Sequence, residues 1–188
     1  MSHPVIVGAG PLGLMTAIAL STQYDKVTLI GPDAAKDGRT TAILNEGIDF
    51  LTSFGVWDKL VTKTAPLKVM RIIDGTNRLV RAPETRFNSH ELNADYFGHN
   101  IKNQDLLKAL NDTIKERNNI ARFKEPALNI DINQHNHASI TLKDGTILKC
   151  DMLVGADGRN SMVRDAAHIK SKQWSYPQIA MVLSLIHI

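Results

Sequence analysis

The stretch VIVGAGPLGLMTAIAL, Val5 to Leu20, constrains this chain more than any other. Val5 to Val7 reads as a short buried strand, Gly8 to Gly13 as a turn, and Leu14 to Ser21 as an apolar helix. Val27 to Ile30 reads as a second buried strand, so strand, helix and strand follow within one βαβ unit. Gly8, Gly10 and Gly13 fit G-x-G-x-x-G, and the reason for each is steric. Gly8 allows the tight turn, Gly10 lets the backbone approach a pyrophosphate, and Gly13 lets helix and strand pack closely. The helix N-terminus then offers free N–H groups and the positive end of its dipole to phosphates. A glycine-rich turn without a ligand is the alternative. The placement after a buried strand and before a helix favours a nucleotide. One part departs from the pattern: an acid is expected to close the second strand and bind a ribose hydroxyl. Gly31 stands there, and Asp33 follows two residues late. Either Asp33 substitutes or backbone holds the ribose.

Composition narrows the classes. The 188 residues are 43% hydrophobic and 22% charged, ordinary for a globular protein with a real core. The net charge is +3 with Lys and Arg scattered, so no basic stripe predicts a nucleic-acid partner. The single cysteine, Cys150, excludes a disulfide framework within the chain and reads as a buried structural thiol. The early apolar run is broken by glycines and lacks a charged leader and cleavage site, so no signal peptide is expected. No stretch reaches the ~18 apolar residues of a membrane span, and a cytoplasmic location is the expectation.

Further along, Ile43, Leu44, Gly47, Phe50, Leu51 and Phe54 recur at helical spacing and predict a helix over Thr41 to Leu60. Lys68 to Ile73 and Arg78 to Arg81 predict a hairpin around Asp74-Gly75-Thr76-Asn77. Asn103 to Arg117 predicts an amphipathic helix. Ala127 to Ile132, Ala138 to Leu142, Thr146 to Lys149 and Met152 to Val154 predict strands, with a tight turn at Asp144-Gly145. The last strand runs into GADGRNSMVR, where small residues permit close backbone approach and Asp157 can accept hydrogen bonds. By itself that segment is equally a strand-to-helix turn with an Asp cap.

The pair of turns resembles the flavoprotein aromatic hydroxylases, the single-component FAD monooxygenases. DGRTTAIL (Asp37 to Leu44) is similar to that family's arginine segment, with Arg39 at the flavin-facing position. FLTSFGVWDKL, NIKNQDLLKAL and KQWSYPQIAMV resemble stretches of its ubiquinone-biosynthesis branch. The resemblance covers nearly the whole chain, and its specificity lies in the combination. It implies an α/β fold: a Rossmann-like FAD-binding domain with a βαβ start, a parallel sheet and a β-meander, plus part of an inserted substrate-domain sheet. It implies FAD as cofactor, with Gly8, Ala9, Gly10, Pro11, Leu12 and Gly13 on the pyrophosphate. Arg39 would lie beside the flavin and phosphates, Asn103 near the flavin, and Asp157 against the cofactor's central portion. NAD(P)H would be the reductant, O2 the oxidant, and a small aromatic molecule, a polyprenyl phenol, the substrate. Peripheral contact with the inner membrane, or with a ubiquinone-biosynthesis complex, follows from the same branch. The resemblance assigns no catalytic residue.

On this basis, residues 1–66 and 101–170 are expected to form the FAD-binding domain, 67–100 part of the substrate sheet, and 171–182 the start of its second segment. The family's third motif, Gly-Asp followed by small residues and His-Pro, is absent, so the chain is expected to be a truncated N-terminal part. Residues 183–188, LSLIHI, match one reading frame of a transposon end used in sequencing libraries and are expected to be an adaptor-derived tail. Native sequence is the alternative. His135 and His137 share a strand spacing, but no third ligand accompanies them, and no metal site is expected. Trp57 and Trp174 read as packing residues; Arg71, Arg78, Arg81 and Arg86, on or beside the hairpin, could meet an anionic substrate or a membrane surface, and a solvated face is the expected reading.

Overall fold

Four consecutive buried residues, PVIV, open the structure as β1, and four more, VTLI, form β2. Unbroken apolar runs of this length suit strands covered on both faces. The computed structural model describes residues 3–35, 37–132 and 137–179. In chain order the elements are β1 (Pro4–Val7), α1 (Pro11–Leu20), β2 (Val27–Ile30), β3 (Thr40–Leu44), α2 (Asn45–Ser53), β4 (Thr64–Leu67), β5 (Val69–Ile72) and β6 (Thr85–Asn88). Then come β7 (Gly98–Lys102), α3 (Asn103–Lys115), β8 (Ile120–Phe123), β9 (Ala127–Ile132), β10 (Ala138–Leu142), β11 (Ile147–Cys150), β12 (Met152–Gly155) and α4 (Met162–Ala166). Two compact units result: residues up to 37 with those from 106 onward, and residues 38–105. This division cuts earlier than the expected substrate-sheet boundary at 66/67, and it places β3, α2 and β4 with the ribbon that follows them.

The first unit is built on a parallel sheet in the order β12-β1-β2-β8. Ile6 lies opposite Val154 on one side and Leu29 on the other. The meander β9-β10-β11 is antiparallel, with Ile140 between Ile130 and Leu148. Its core merges with that of the parallel sheet: Val5, Val7 and Ile30 cluster with Ile130, Ile140, Leu142, Cys150 and Val163. Cys150 is a buried free thiol, as expected, and burial pushes its pKa up. Asn119 ties the edge together. Its side-chain amide donates to the carbonyls of Ser21 (2.7 Å) and Tyr24 (2.9 Å), just past the end of α1. Its own carbonyl accepts from Val27 N at 2.9 Å. Acceptors beyond a helix end need such partners.

The second unit holds the antiparallel sheet β3-β7-β4 and the separate ribbon β5-β6. Here two expectations are corrected. Thr40–Leu44 is a strand rather than the start of a helix, because its backbone pairs along β7 from Thr40↔Lys102 to Leu44↔Gly98. The helix begins only at Asn45 and stops at Ser53, before Gly55 at φ +71°. The hairpin partner of β5 is Thr85–Asn88 rather than Arg78 to Arg81. The polar turn does form, with Asp74 accepting from Thr76 N at 3.0 Å, but it starts a longer loop whose far end returns to the same carboxylate, Ala82 N at 3.2 Å. Smaller shifts follow from chain chemistry. Helix α1 starts at Pro11, whose fixed φ suits a first helical position, and α3 ends at Lys115, before Arg117. Trp57 packs edge-on to His99 at 5.2 Å, whereas Trp174 is 65% exposed beside Tyr176 and is no core residue. The described part of 171–179 carries no strand, and the tail at 183–188 lies outside the described residues. Among the described residues no helix is long and apolar enough to cross a membrane.

His99 makes the second unit sensitive to pH. Its ring lies between Trp57 and Tyr96 and shares a 2.7 Å hydrogen bond with Thr64 Oγ1. Burial lowers its pKa below the ordinary histidine value. The unfolded chain therefore takes up the proton first as pH falls. The stability contributed by the neutral ring is present above the unfolded value, about 6.5, and is lost as pH falls through the folded one. Thermal melts from about pH 7.5 to about pH 5, spanning the ordinary histidine value, should show a decline that His99→Gln reduces; equal slopes in both proteins would refute this assignment.

Candidate functional site

The glycine turn lies where β1, β2 and β12 end together. Gly8 N donates to Ile30 O at 2.8 Å, and Ala156 N donates to Val7 O at 2.7 Å. Gly8 has φ +112°, and a Cβ there would stand 2.2 Å from Ala156 O. A Cβ on Gly13 would stand 1.8 Å from Gly8 O. Packing within the chain therefore demands glycine at both positions. Gly10 differs: a Cβ there meets no heavy atom within 4 Å, and its φ of −74° is open to any residue. Among the described residues no packing contact calls for glycine at position 10. A requirement for it has to come from something outside the protein, lying against the backbone. Gly10 is also the N-cap of α1, and no side chain caps the first-turn amides. Those amides have no intrahelical acceptors, and the dipole end beside them is positive. Ala9 is buried, Pro11 sets the first helical φ, and Leu12 is exposed. A backbone cradle open on one side and lined by free N–H donors fits a pyrophosphate.

GADGRNSMVR supplies the opposing wall. Asp157 accepts from Ser161 Oγ through Oδ1, and from Met162 N (2.6 Å) and Val163 N (3.3 Å) through Oδ2. Ser161 is the N-cap of α4 and accepts from Arg164 N at 3.0 Å. Asp157 thus does the capping work that the sequence pattern allowed, holding Ala156 and the turn against Gly8. Ser161 went unnoticed in the sequence. Its signal was its place directly ahead of the short apolar turn at Met162 and Val163, where an N-cap is expected.

The strand-end position is closed to an acid. Gly31 has φ +133°, and a Cβ there would approach Ala9 N to 3.2 Å. The Asp33 carboxylate is engaged instead by Lys124 Nζ at 2.7 Å and Arg122 Nη2 at 3.4 Å. The Lys124 hydrogen bond, ahead of the two cationic charges, holds Asp33 below the usual carboxylate range.

Arg39 and Asn103 belong to the second unit, 64 residues apart in sequence and adjacent in space. Asn103 N donates to Arg39 O at 3.0 Å, and Thr41 Oγ1 donates to Asn103 Oδ1. Arg39 itself is exposed. Thr41 is the residue that the sequence did not single out; its hydroxyl fixes the Asn103 side chain at the start of α3. As for metals, His137 pairs with Asp151 at 3.0 Å, and His135 lies outside the described residues. Among the described residues no three His, Cys, Asp or Glu side chains converge.

Two substitutions separate packing from ligand demand. Gly8→Ala should lower stability by at least about 1–3 kcal/mol, through positive-φ strain together with the clash against Ala156, whereas Gly10→Ala should leave the ligand-free melt unchanged within about 0.5 kcal/mol. Equal losses would show that the chain itself needs Gly10. Asp157→Ala should cost about 1–2 kcal/mol by removing the acceptor of Met162 N and Val163 N, with the Ser161 cap left in place, measurable by denaturant titration.

Known proteins agree with this geometry. A family model described as an FAD binding domain matches residues 2–184. The ubiquinone hydroxylase UbiL of Rhodospirillum rubrum is 31% identical over 97% of this chain and 43% of its own length. UbiM of Neisseria meningitidis is 27% identical over 99% of this chain and 42% of its own. The 3-demethoxyubiquinol 3-hydroxylase of Escherichia coli is 27% identical over 96% and 47%. The chain therefore spans under half the length of the curated relatives it matches. Among solved structures, PqsL of Pseudomonas aeruginosa superposes with a TM-score of 0.75 at 19% identity, over 94% of this chain and 48% of that one. The flavin-dependent monooxygenase PieE, solved with FAD and substrate, gives 0.69 at 21%, over 90% and 32%. At such identities the structures speak for the fold alone. With its glycine cradle, its parallel sheet and a family match across nearly every residue, this chain belongs to the FAD-binding-domain family.

Proposed function

We propose that the chain is the FAD-binding portion of an NAD(P)H- and O2-dependent monooxygenase that hydroxylates the aromatic ring of a polyprenyl phenol in ubiquinone biosynthesis. The observation that carries this reading is the match of at least 96% of the chain to three ubiquinone-pathway hydroxylases. The cofactor supplies the redox chemistry when bound. The chain's own residues bind and orient. The turn from Gly8 to Gly13 offers the pyrophosphate the backbone N–H groups at the start of α1, those of Leu12 and Gly13, Gly8 N–H being taken by Ile30 O and Pro11 having none, with Gly10 as the point of closest approach. Asp157 braces the opposite wall, and Oδ1, which accepts from Ser161 alone, retains acceptor capacity for the cofactor's central portion. Arg39 and Asn103, whose side chain Thr41 holds, are the residues of the second unit that this reading assigns to the flavin. A polyprenyl tail on the substrate calls for peripheral contact with the inner membrane. Nucleotide binding without turnover is the second reading, supported by a cradle whose geometry speaks to binding alone.

Flavin absorbance of the purified chain, an FAD titration, and NADH oxidation with and without a phenolic quinone precursor separate the two. Substrate-stimulated oxidation with a hydroxylated product supports the monooxygenase. Tight FAD binding with no stimulated oxidation supports the second reading, and no FAD binding overturns both. Gly10→Ala should weaken FAD binding at least about tenfold, equivalent to about 1.4 kcal/mol.

A further inference from the structure

Ribbon β5-β6 has two unlike faces. Register sets Met70 opposite Phe87 and Ile72 opposite Thr85 on one face, and Val69 opposite Asn88 and Arg71 opposite Arg86 on the other. The like-charged Arg71 and Arg86 are reconciled by Glu84, which takes Arg71 at 2.8 and 2.9 Å and Arg86 at 2.6 Å. Met70, Ile72 and Phe87 have no such arrangement and stay exposed.

The loop after β5 carries the stronger signal. Leu79 is 102% exposed and Val80 83%, with Arg78 and Arg81 on either side. Among the described residues neither arginine has a carboxylate partner, and the one side-chain bond at the tip runs from Arg81 Nε to Arg78 O, at 3.4 Å. The loop is closed at its base by Asp74, whose two oxygens accept from Thr76 N and Ala82 N. That closure spends the loop's acid on its own backbone and leaves aliphatic and cationic groups at the tip. Exposed large aliphatics in a contiguous set mark an interaction surface. Two bare aliphatics stand between two arginines that have no carboxylate partner among the described residues, a pairing of apolar and cationic groups that complements an anionic, apolar-cored layer. A lipid headgroup layer needs no matching shape, takes aliphatic side chains beneath it, and presents anionic phosphates at the depth of the arginines.

We propose that the loop 73–82, with the apolar face of β5-β6, docks the protein on an anionic lipid surface, Leu79 and Val80 entering the headgroup layer and Arg78 and Arg81 pairing with lipid phosphates. The proposal gives the hydroxylase reading a membrane partner, but it rests on the loop and not on the reaction, so either can fail alone.

The test is flotation with vesicles of phosphatidylcholine alone and of phosphatidylcholine with phosphatidylglycerol. The wild-type chain should float with the anionic vesicles, and less as salt is raised. Arg78→Gln with Arg81→Gln should weaken binding by roughly fivefold per arginine. Leu79→Asp with Val80→Asp should abolish it. Circular dichroism and FAD titration of each variant check that the fold is kept. Failure of the wild type to float, or flotation of both variants at wild-type levels, overturns the proposal. So does protection of the Leu79 and Val80 amides from hydrogen exchange without lipid, which would mean that a protein segment covers the tip.

Discussion

The close approach of Gly8 to Ala156 is the contact on which the first unit depends. It joins the N-terminal turn to one almost 150 residues later. The parallel pairing of β1 with β12 sets that approach, from Pro4↔Met152 to Val7↔Gly155. Each partner then constrains its neighbour: Gly13 closes on Gly8, and Asp157 fixes the opposite wall by capping α4. The result is a rim of backbone with few side chains in it. Such a rim suits a ligand recognised through phosphate oxygens, because amides placed by strands and helix ends need no reorganisation on binding.

What the sequence disclosed follows the range of the interactions. Val27–Ile30 was readable to the residue, since a short run of β-branched and aliphatic residues between polar turns has few other uses. The meander was readable because Asp144-Gly145 fixes its turn locally, Thr146 N donating to Asp144 Oδ1 at 2.9 Å. Thr40–Leu44 was misread. Ile43 and Leu44 continue the helical spacing of α2, and only pairing with β7, nearly sixty residues on, makes them strand. The ribbon was misread for a similar reason. Asp74-Gly75 is a genuine turn signal, but the strand pairs beyond it with Thr85–Asn88, where Arg71 and Arg86 share Glu84, a contact that no local pattern announces.

The site shows the same division. The glycine spacing pointed to the cradle, and DGRTTAIL and NIKNQDLL pointed to Arg39 and Asn103, which the structure joins by one backbone hydrogen bond. Thr41 and Ser161 stayed hidden because their work is to hold other side chains. The missing strand-end acid also gains a cause. At φ +133° and so near Ala9 N, position 31 is a backbone niche, and the nearest carboxylate is drawn toward Lys124 and Arg122.

The three glycines of the turn differ in what they answer to. Gly8 and Gly13 are held by the chain's own atoms, and Gly10 by none of them. A descendant that ceased to use the nucleotide would remain bound to glycine at the outer two positions and be free to drift at the middle one. The motif is thus two records written in one alphabet, one of folding and one of occupancy. In a lineage carrying this turn, the middle position alone would show when the second had lapsed.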